Sequence, residues 1–380
     1  MRSFISEDDI EKAILEKLEA EPFSYDILRC DADPAKRELL PDGTGRSSKR
    51  QCVLPEVLKK ALIKINPTIP ENKIDSVVKD LSRDHSSRDI TAVNYKYYNQ
   101  IRNGIKVSLR KNGKTDFDFI KLVDFNNPEN NTFTAVSQMW ILGKAYFRRP
   151  DVLIFINGLP MVFIELKNST VKVRTAYDDN LTNYKKDIPN LFAFNQICVL
   201  SNGLETKLGA FNASYDYFFE WLKVSSEKEH LHRDQLLLAD NAEDSSVRYF
   251  VDGLLDKNRL IDYIENFIMF QNQSVKIIAK NHQFLGVNNL MESVKNRKEL
   301  KGKLGVFWHT QGSGKSYSML FLAQKIRRKF AGSPTIVVLT DRDELNTQIS
   351  DTFLNCGLLG TTKTNQFIAT SGSDLISNLR

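Results

Sequence analysis

Apolar residues recur at intervals of three and four positions over residues 7–18, and charged residues fill most of the remaining positions. This spacing predicts an amphipathic helix, and Ser6 is placed to cap its first turn. A second helix is predicted over residues 54–65. Residues 22–51 are polar and irregular, which indicates a surface excursion between the two helices.

From residue 95 to residue 155 the pattern changes to short runs of Val, Ile, Phe and Tyr that are separated by Asn, Gly and Pro. Such runs are typical of strands joined by turns. Further along, we predict a helix over residues 175–186, a strand over 193–200, and then a strand and a helix that end near Trp221. The pattern therefore predicts a mixed sheet with flanking helices.

A dense charge run flanked by serines occupies residues 224–247 and indicates a domain junction. We place the two domains at residues 1–245 and 246–380. The second contains helical patterns, an apolar run over 304–309, a glycine-rich turn, a helix and an apolar run over 335–340. Strand, loop, helix and strand in this order predict the beginning of a parallel α/β sheet.

Composition agrees with a globular protein. The 380 residues are 41% hydrophobic and 26% charged, which excludes a disordered, collagen-like or disulfide-stapled chain. A chain of this length has room for two or three domains. Lys and Arg outnumber Asp and Glu by 53 to 47, and a polyanionic partner or a mildly basic soluble protein would explain the net charge of +6 equally well.

The four cysteines are widely scattered, and none belongs to a Cys-x-x-Cys pair. This pattern argues against a zinc site or an iron–sulfur cluster and suits a reducing cytosol. The chain is acidic by its seventh residue, unlike a signal peptide. Its most apolar stretch, residues 152–164, is interrupted and too short to cross a bilayer. We therefore expect a cytoplasmic protein without a membrane partner.

The strongest local motif is WHTQGSGKS, residues 308–316, between an apolar run and a predicted helix. Gly312 and Gly314 would let consecutive main-chain N–H groups face a phosphate. Lys315 would reach the β- and γ-phosphates, and the Ser316 hydroxyl would bind Mg²⁺. The following helix presents its positive N-terminal end to the anion. A chance glycine turn is the alternative, but the context favours nucleotide binding.

A second motif lies in residues 148–167, RRPDVLIFINGLPMVFIELK, where two apolar runs flank Asn157-Gly158, a strong hairpin signal. Strand alternation places Glu165 and Lys167 on one face. The position of Asp151 depends on the turn. A two-residue loop turns its side chain to the opposite face, whereas a three-residue connection over 157–159 pairs it with Glu165. We predict the three-residue form, which brings Asp151, Glu165 and Lys167 to one surface.

Two carboxylates side by side repel each other and lose solvation, a cost that a cation between them offsets. Oxygen ligands of this kind suit Mg²⁺, which can activate a water molecule and stabilise charge on a scissile phosphate. Lys167 would hold that water. The alternative is an edge hairpin with a solvated polar face. The nearly unbroken apolar runs around the three charges favour the metal site, because buried strands rarely carry unpaired charge.

Asn180 and Tyr184 lie four residues apart on the next predicted helix and are therefore neighbours on one of its faces. Spacing alone does not distinguish a functional pair from an ordinary helix surface, and the ordinary surface is the simpler interpretation.

With both motifs in view, the chain resembles the N-terminal part of the R (restriction and motor) subunit of type I restriction enzymes. The resemblance covers nearly everything from about residue 120 onward. It rests on LVDFNNPENNTFTAVSQM (122–139), RRPDVLIFINGLPMVFIELKN (148–168), KNHQF (280–284), FWHTQGSGKS (307–316) and VVLTDRDELNTQI (337–349). The resemblance implies a PD-(D/E)xK nuclease domain followed by the first RecA-like domain of a superfamily 2 translocase.

The resemblance also implies roles for single residues. Asp151, Glu165 and Lys167 correspond to the nuclease triad. The family's Gln-x-x-x-Tyr element maps to Asn180 and Tyr184, where the shorter Asn replaces Gln.

In the second domain, Gln283 looks like the family's adenine-recognising glutamine. His309 stands where the general P-loop pattern has its first glycine, but it is usual within the family. The implied cofactors are ATP, and Mg²⁺ bound by Asp151, Glu165 and Ser316. The phosphate loop would comprise Thr310, Gly312, Ser313, Gly314, Lys315 and Ser316.

The implied function is Mg²⁺-dependent cleavage of double-stranded DNA by a nuclease joined to an ATP-dependent translocase. DNA contacts would be non-specific, and the partners would be a specificity subunit and a methyltransferase subunit. No Asp-Glu-x-His segment or second RecA-like domain follows the loop, so we expect a piece of a larger subunit that binds ATP without turning it over. One alternative is a repair helicase–nuclease, although there the nuclease typically follows the motor. The other is a non-catalytic nucleotide-binding or assembly module of a DNA-processing complex.

Overall fold

The computed structural model describes residues 4–86, 88–111, 114–229, 245–358, 368–369 and 371–379. The chain divides into two compact units, Met1–Glu265 and Asn266–Arg380. Most of the charge run that indicates a junction lies outside the described residues, so the boundary between residues 245 and 246 stays a prediction.

The first helices begin where the hydrophobic pattern predicts them. Helix α1 (Glu7–Glu19) starts after Ser6, whose Oγ accepts the N–H of Asp9 while the Asp9 carboxylate accepts the N–H of Ser6. The second predicted helix is α2 (Pro55–Ile65), so both predictions are confirmed. Among the described residues, the remaining helices up to residue 266 are α3 (Glu71–Leu81), α4 (Ile90–Asn103), α5 (Val173–Thr175), α6 (Thr182–Asp187), α7 (Val247–Leu254) and α8 (Lys257–Asn266).

Helix α4 corrects the prediction of strands from residue 95 onward. Val93, Tyr97 and Ile101 are buried at four-residue intervals along one face of this helix. Aromatic and branched residues suggested strands, but here their spacing builds a helix that packs through a bulky apolar face.

Seven strands of the first unit form one mixed sheet in the order β1-β4-β7-β8-β9-β10-β11. Strand β1 pairs in parallel with β4, and β8 with β9, while the other neighbours are antiparallel. The strands of the unit are β1 (Asp26–Arg29), β2 (Ile105–Lys111), β3 (Lys114–Ile120), β4 (Phe133–Ser137), β5 (Ile141–Leu142), β6 (Phe147–Arg148), β7 (Val152–Ile156), β8 (Leu159–Leu166), β9 (Ile197–Ser201), β10 (Thr206–Gly209) and β11 (Phe219–Glu220).

The centre of the sheet is the core of the unit. Every residue of β7 and β8 is buried, as their nearly unbroken apolar runs suggested. Helix α1 packs against β1, β4 and β8. The predicted mixed sheet with flanking helices is thus present.

Residues 22–51 are only in part the surface excursion that their polarity indicated: residues 31–39 are exposed, as predicted, but two other parts of the segment belong to the folded interior. Strand β1 adds to the edge of the sheet, and the side chains of Arg46 and Lys49 are almost completely buried. Both cations lie 2.6 Å from an oxygen of Asp42. Hydropathy cannot distinguish this segment from a surface loop, because the charges satisfy one another inside the protein.

The β7–β8 hairpin turns over two residues, so the predicted three-residue connection is wrong. Asn157 and Gly158 have φ angles of 51° and 78°, as a type I′ turn requires. A Cβ on Gly158 would also lie 2.6 Å from the carbonyl oxygen of Leu54, where α2 begins. The pairing of β7 with β8 shifts by one residue between Ile154 and Phe155. This bulge restores the predicted register at the far end, where Asp151 faces Glu165.

The segment after β8 also departs from the regular elements that we predicted. The predicted helix over 175–186 contains a π-helical stretch, Ala176–Leu181, between α5 and α6. The predicted strand over 193–200 begins only at Ile197, because a 3₁₀ helix, Pro189–Ala193, precedes it. Before Trp221 there is a 3₁₀ turn, Tyr215–Tyr217, where we predicted a helix.

The second unit contains the hairpin of β12 (Ile268–Gln271) and β13 (Val275–Ile278). Its helices within the described residues are α9 (Asn281–Lys295), α10 (Lys315–Lys329), α11 (Asp343–Asn355) and α12 (Gly372–Asn378). None of the described helices of the chain is long and apolar enough to cross a membrane.

The two predicted strands of this unit, 304–309 and 335–340, are not paired into a sheet in the part of the chain that the structure describes. Most of their apolar side chains are exposed; Val306 is 92% and Leu339 is 85% accessible. Branched apolar residues favour an extended chain, but a strand also needs a hydrogen-bonded neighbour. The predicted parallel sheet is therefore not formed by these residues.

Candidate functional site

Three charged side chains meet at one end of the central strands. Asp151 directly precedes β7, Glu165 lies near the end of β8, and Lys167 follows it. The Asp151 Oδ2 accepts a hydrogen bond of 2.7 Å from the main-chain N–H of Leu166. The structure thus brings together the three residues of the predicted nuclease triad.

Glu165 is a carboxylate inside the core. Its side chain is 2% exposed, and its Oε1 lies 3.6 Å from the Lys167 Nζ. Its Oε2 is buried without a hydrogen-bond partner among the described residues. Burial, and then the neighbouring charge of Asp151, raise the pKa of Glu165 well above its usual range.

Asp151 is more weakly perturbed. Burial raises the pKa of its carboxyl to about 6, although the Leu166 N–H and the Lys167 charge oppose this effect. A cation near the two carboxylates would favour their ionised forms and lower both pKa values.

Lys167 is held by main-chain and side-chain contacts. Its N–H donates to the carbonyl of Ser201 at 2.8 Å, which extends the pairing of β8 with β9. Its Nζ donates to the carbonyl of Leu166 at 2.8 Å and lies 3.9 Å from Glu7 Oε1. The Lys167 ammonium therefore lies beside the carboxylates of Glu165 and Glu7 rather than in bulk solvent.

Tyr184 belongs to this site, so its interpretation as ordinary helix surface is wrong. The hydroxyl donates to the carbonyl of Arg149 at 3.1 Å and lies 3.5 Å from Glu165 Oε1. Burial, and then the charge of Glu165, raise the pKa of Tyr184, whereas a side-chain hydrogen bond with Asn180 opposes this shift. Asn180 thus reaches the site through Tyr184, and it lies on the π-helical stretch.

Sequence reasoning missed three residues near Asp151 and Lys167. Glu7 and Glu11 lie four residues apart on α1, and Gln138 follows β4. The Gln138 Nε2 donates to Glu11 and lies 3.5 Å from Asp151 Oδ1. An acidic pair at helical spacing was a visible signal, but nothing local showed which surface the helix would face.

The carboxylates of Asp151 and Glu165 could hold a divalent cation. Within the described ranges, no three His, Cys, Asp or Glu side chains converge as a ready metal-binding group. Asp151 and Glu165 nevertheless supply two carboxylates, one of which has a buried oxygen without a partner. One or two carboxylates, completed by water and phosphate oxygens, are the usual protein contribution to a Mg²⁺ site. The donor set fits this ion.

The glycine-rich loop of the second unit precedes α10. Gly312 and Gly314 have φ angles of 77° and 87°, values that favour glycine. The Lys315 Nζ donates to the carbonyls of His309 and Thr310 at 2.9 and 3.0 Å. The lysine therefore lies across the loop, and Ser316 is the second residue of the helix.

Gln283 and His282 contact this loop from α9. The Gln283 side chain accepts the N–H of Lys280 at 2.8 Å and donates to the carbonyl of Gly314 at 2.9 Å. The His282 Nε2 lies 3.0 Å from the carbonyl of Ser313. Since both ends of the Gln283 amide are engaged, the structure places this residue under the loop, and its predicted contact with adenine stays a prediction.

Both units match known families. Residues 4–217 match the family model described as the type I restriction enzyme R protein N terminus. Residues 282–380 match the model described as SWI2/SNF2 ATPase.

Curated relatives agree with the first match. The type I restriction enzyme HindI endonuclease subunit of Haemophilus influenzae is 36% identical over 363 residues, which cover 92% of this chain and 33% of that protein. A protein of Methanocaldococcus jannaschii, provisionally named type I restriction enzyme MjaIXP endonuclease subunit, is 32% identical over 90% of this chain and 34% of its own length. The chain thus spans about a third of the length of these relatives. By the family match over more than half of its residues, the chain belongs to the family of type I restriction enzyme R proteins, in their N-terminal region.

Proposed function

We propose that the first unit is a Mg²⁺-dependent DNA endonuclease module of the PD-(D/E)xK kind. The observation that carries the proposal is Glu165, a buried carboxylate with an unsatisfied oxygen beside Asp151 and Lys167. Burying such a charge costs several kcal/mol unless a cation compensates it, roughly as for other buried ions. A purely structural role of the hairpin would not explain why an energetically unfavourable carboxylate is buried there.

The residues divide the work as follows. Asp151 and Glu165 hold the ion, which when bound activates water and neutralises charge on the phosphate. Lys167 orients the attacking water and stabilises the charge that develops on the phosphate oxygens. Tyr184 contacts Glu165 directly, and Asn180 contacts Tyr184. The last two residues therefore orient the buried carboxylate.

We further propose that the second unit binds ATP as the start of a RecA-like motor domain of superfamily 2. Its support is the loop before α10, in which two glycines adopt left-handed φ angles and Lys315 lies across the loop. Lys315 would leave its two carbonyl partners to contact phosphate, and Ser316 would contribute to a nucleotide-bound Mg²⁺.

In this proposal the chain acts within a type I restriction–modification complex. The named relatives are endonuclease subunits. Double-stranded DNA would be contacted without sequence preference, since contacts to phosphates carry no sequence information. A specificity subunit and a methyltransferase subunit would be the protein partners.

Cleavage by reconstituted complexes tests the nuclease proposal. Plasmid DNA is incubated with Mg²⁺, ATP and complexes that contain Asp151→Ala or Glu165→Ala, and both should lose cleavage while circular dichroism stays native. Glu16→Ala is a matched control on the exposed side of α1. Normal cleavage by both site variants would remove the assignment and favour the non-catalytic assembly module.

Equilibrium binding of a fluorescent ATP analogue tests the nucleotide proposal. Lys315→Ala should weaken binding by at least about tenfold, because the lysine supplies the charge opposite the phosphates. Lys295→Ala is the control, since this exposed lysine pairs with Glu292 on α9. Equal affinities for wild type and Lys315→Ala would contradict the assignment.

A further inference from the structure

Gln138 lies between two carboxylates that come from distant parts of the chain. Its Nε2 donates to Glu11 Oε2 on α1 and lies 3.5 Å from Asp151 Oδ1. A side-chain amide has two N–H hydrogens, and the two carboxylates can accept one each. A neutral donor thus occupies the space in which two negative charges would otherwise face each other.

The backbone of Gln138 is held in the same place. It follows the last residue of β4, and its N–H donates to the carbonyl of Asp151 at 2.9 Å. Its φ of 57° lies in the left-handed region, which residues other than glycine adopt rarely and only where the surroundings hold them. Main chain and side chain of Gln138 therefore both point at Asp151.

Asp151 is consequently fixed from two strands. Its Oδ2 accepts the main-chain N–H of Leu166 at the end of β8, and its Oδ1 faces Gln138 at the end of β4. The first donor is a main-chain N–H, so changing the Leu166 side chain would not remove it. The second is a side chain, and the same amide nitrogen also donates to Glu11.

We propose that Gln138 is a positioning residue of the nuclease site, whose amide orients the Asp151 carboxylate for a divalent cation and separates it from Glu11. This inference rests on the proposed nuclease function. Partners that orient metal ligands typically change metal affinity by about 10- to 100-fold when they are removed.

Direct metal binding tests the proposal without relying on activity. Mn²⁺, a spectroscopic substitute for Mg²⁺, is titrated into the intact chain without nucleotide and followed by electron paramagnetic resonance. The Gln138→Asn variant is the main probe, since Asn tolerates the left-handed conformation but is too short to reach both carboxylates. Gln138→Met removes the donor while preserving side-chain length. Gln51→Met is the matched control, because this glutamine hydrogen-bonds Ser47 away from the site.

We expect Gln138→Asn and Gln138→Met to weaken Mn²⁺ binding about tenfold, while circular dichroism stays native and the Gln51→Met variant binds as wild type. Adding Glu11→Gln to either variant should restore affinity to within about threefold of the Glu11→Gln single variant, because no second charge then faces Asp151. A merely structural role of Gln138 would not be relieved by that change.

The outcomes separate this inference from the function on which it rests. If Asp151→Asn abolishes Mn²⁺ binding while both Gln138 variants bind as wild type, the role of Gln138 is wrong and the metal site stands. If the Gln138 variants lose Mn²⁺ affinity to the same extent in the Glu11→Gln background, the claim that Gln138 separates the charges of Asp151 and Glu11 is wrong. If Asp151→Asn itself leaves binding unchanged, the metal site is wrong.

Discussion

The carboxylate of Asp151 accepts a hydrogen bond of 2.7 Å from the main-chain N–H of Leu166. Leu166 separates Glu165 from Lys167, and strand alternation places the side chains of these two residues on the opposite side of the chain from the Leu166 side chain. One backbone group thus fixes the first carboxylate beside the two other charges. The site depends on the register of the two strands rather than on side-chain rotamers alone.

Glu165→Gln should stabilise the protein and abolish its cleavage activity. The substitution keeps the shape of a side chain that is 2% exposed and removes a carboxyl whose charge is unfavourable there. The free energy of unfolding should rise by about 1 kcal/mol, since burial favours the neutral form of this side chain over its ionised form. Urea unfolding measures the stability and plasmid cleavage measures the activity. If Glu165→Gln markedly destabilises the protein, the carboxylate serves stability, which would contradict its assignment to the functional site.

Asp151 should make the protein less stable as the pH rises from about 4 to about 6. Its carboxyl ionises near pH 4 in an unfolded chain, whereas burial raises the pKa to about 6 in the folded state. Between these values the folded state binds more protons, so the free energy of unfolding falls with rising pH, by at most about 3 kcal/mol. When the free energy of urea unfolding is plotted against pH over this range, the slope should differ between wild type and Asp151→Asn. Parallel plots would refute the raised pKa of Asp151.

Lys167→Arg should reduce DNA cleavage by roughly 100-fold, the size of effect seen when a charge-stabilising donor is lost. The ammonium fits between the Leu166 carbonyl at 2.8 Å and Glu165 at 3.6 Å, and the planar guanidinium is too wide for this position. Cleavage by reconstituted complexes is the measurement, and Lys12→Arg on the exposed face of α1 is the control. Full activity of the Lys167→Arg complex would show that only the positive charge matters.

Asp42→Asn should destabilise the first unit by about 3 kcal/mol, because Arg46 and Lys49 would remain buried without a counter-charge. Burial alone would raise the pKa of Asp42, but hydrogen bonds from Lys49 and Thr44 and the charge of Arg46 outweigh it and lower the pKa well below its usual range. This stabilisation is present above pH 4 and is lost as the pH falls further.

The matched control for Asp42 is Asp31→Asn, which breaks the exposed pair with Lys36. It should leave the free energy of unfolding almost unchanged, because solvent screens an exposed ion pair. Urea denaturation of both variants at neutral pH compares them, and equal losses would mean that the buried cluster contributes no more than a surface pair.

Gly314→Ala should impair nucleotide binding more than Gly312→Ala. Both glycines have left-handed φ angles, so both substitutions strain the loop. Only at Gly314 would the new Cβ also meet a neighbour, the Nε2 of Gln283 at 2.7 Å. Binding of a fluorescent ATP analogue should rank wild type above Gly312→Ala and Gly312→Ala above Gly314→Ala, and the reverse order of the two variants would contradict the role of the Gln283 contact.

Local sequence determined a large part of this protein. Helix α1 with its cap at Ser6, helix α2 and the turn at Asn157-Gly158 all follow from periodicity and from the conformations that single residues allow. The three charges among the apolar runs of β7 and β8 also marked the site, because a buried strand does not carry charge without a reason.

Tertiary structure alone decided how these pieces meet. The bulge between Ile154 and Phe155 sets Asp151 opposite Glu165, although a two-residue turn by itself would place it on the other face. The contact of Gln138 with Glu11 joins residues 127 positions apart. The spacing of residues along the chain determines which face of a helix or strand each side chain occupies. Packing and hydrogen bonding among buried polar groups determine which faces come together, and both depend on residues that are distant in the sequence.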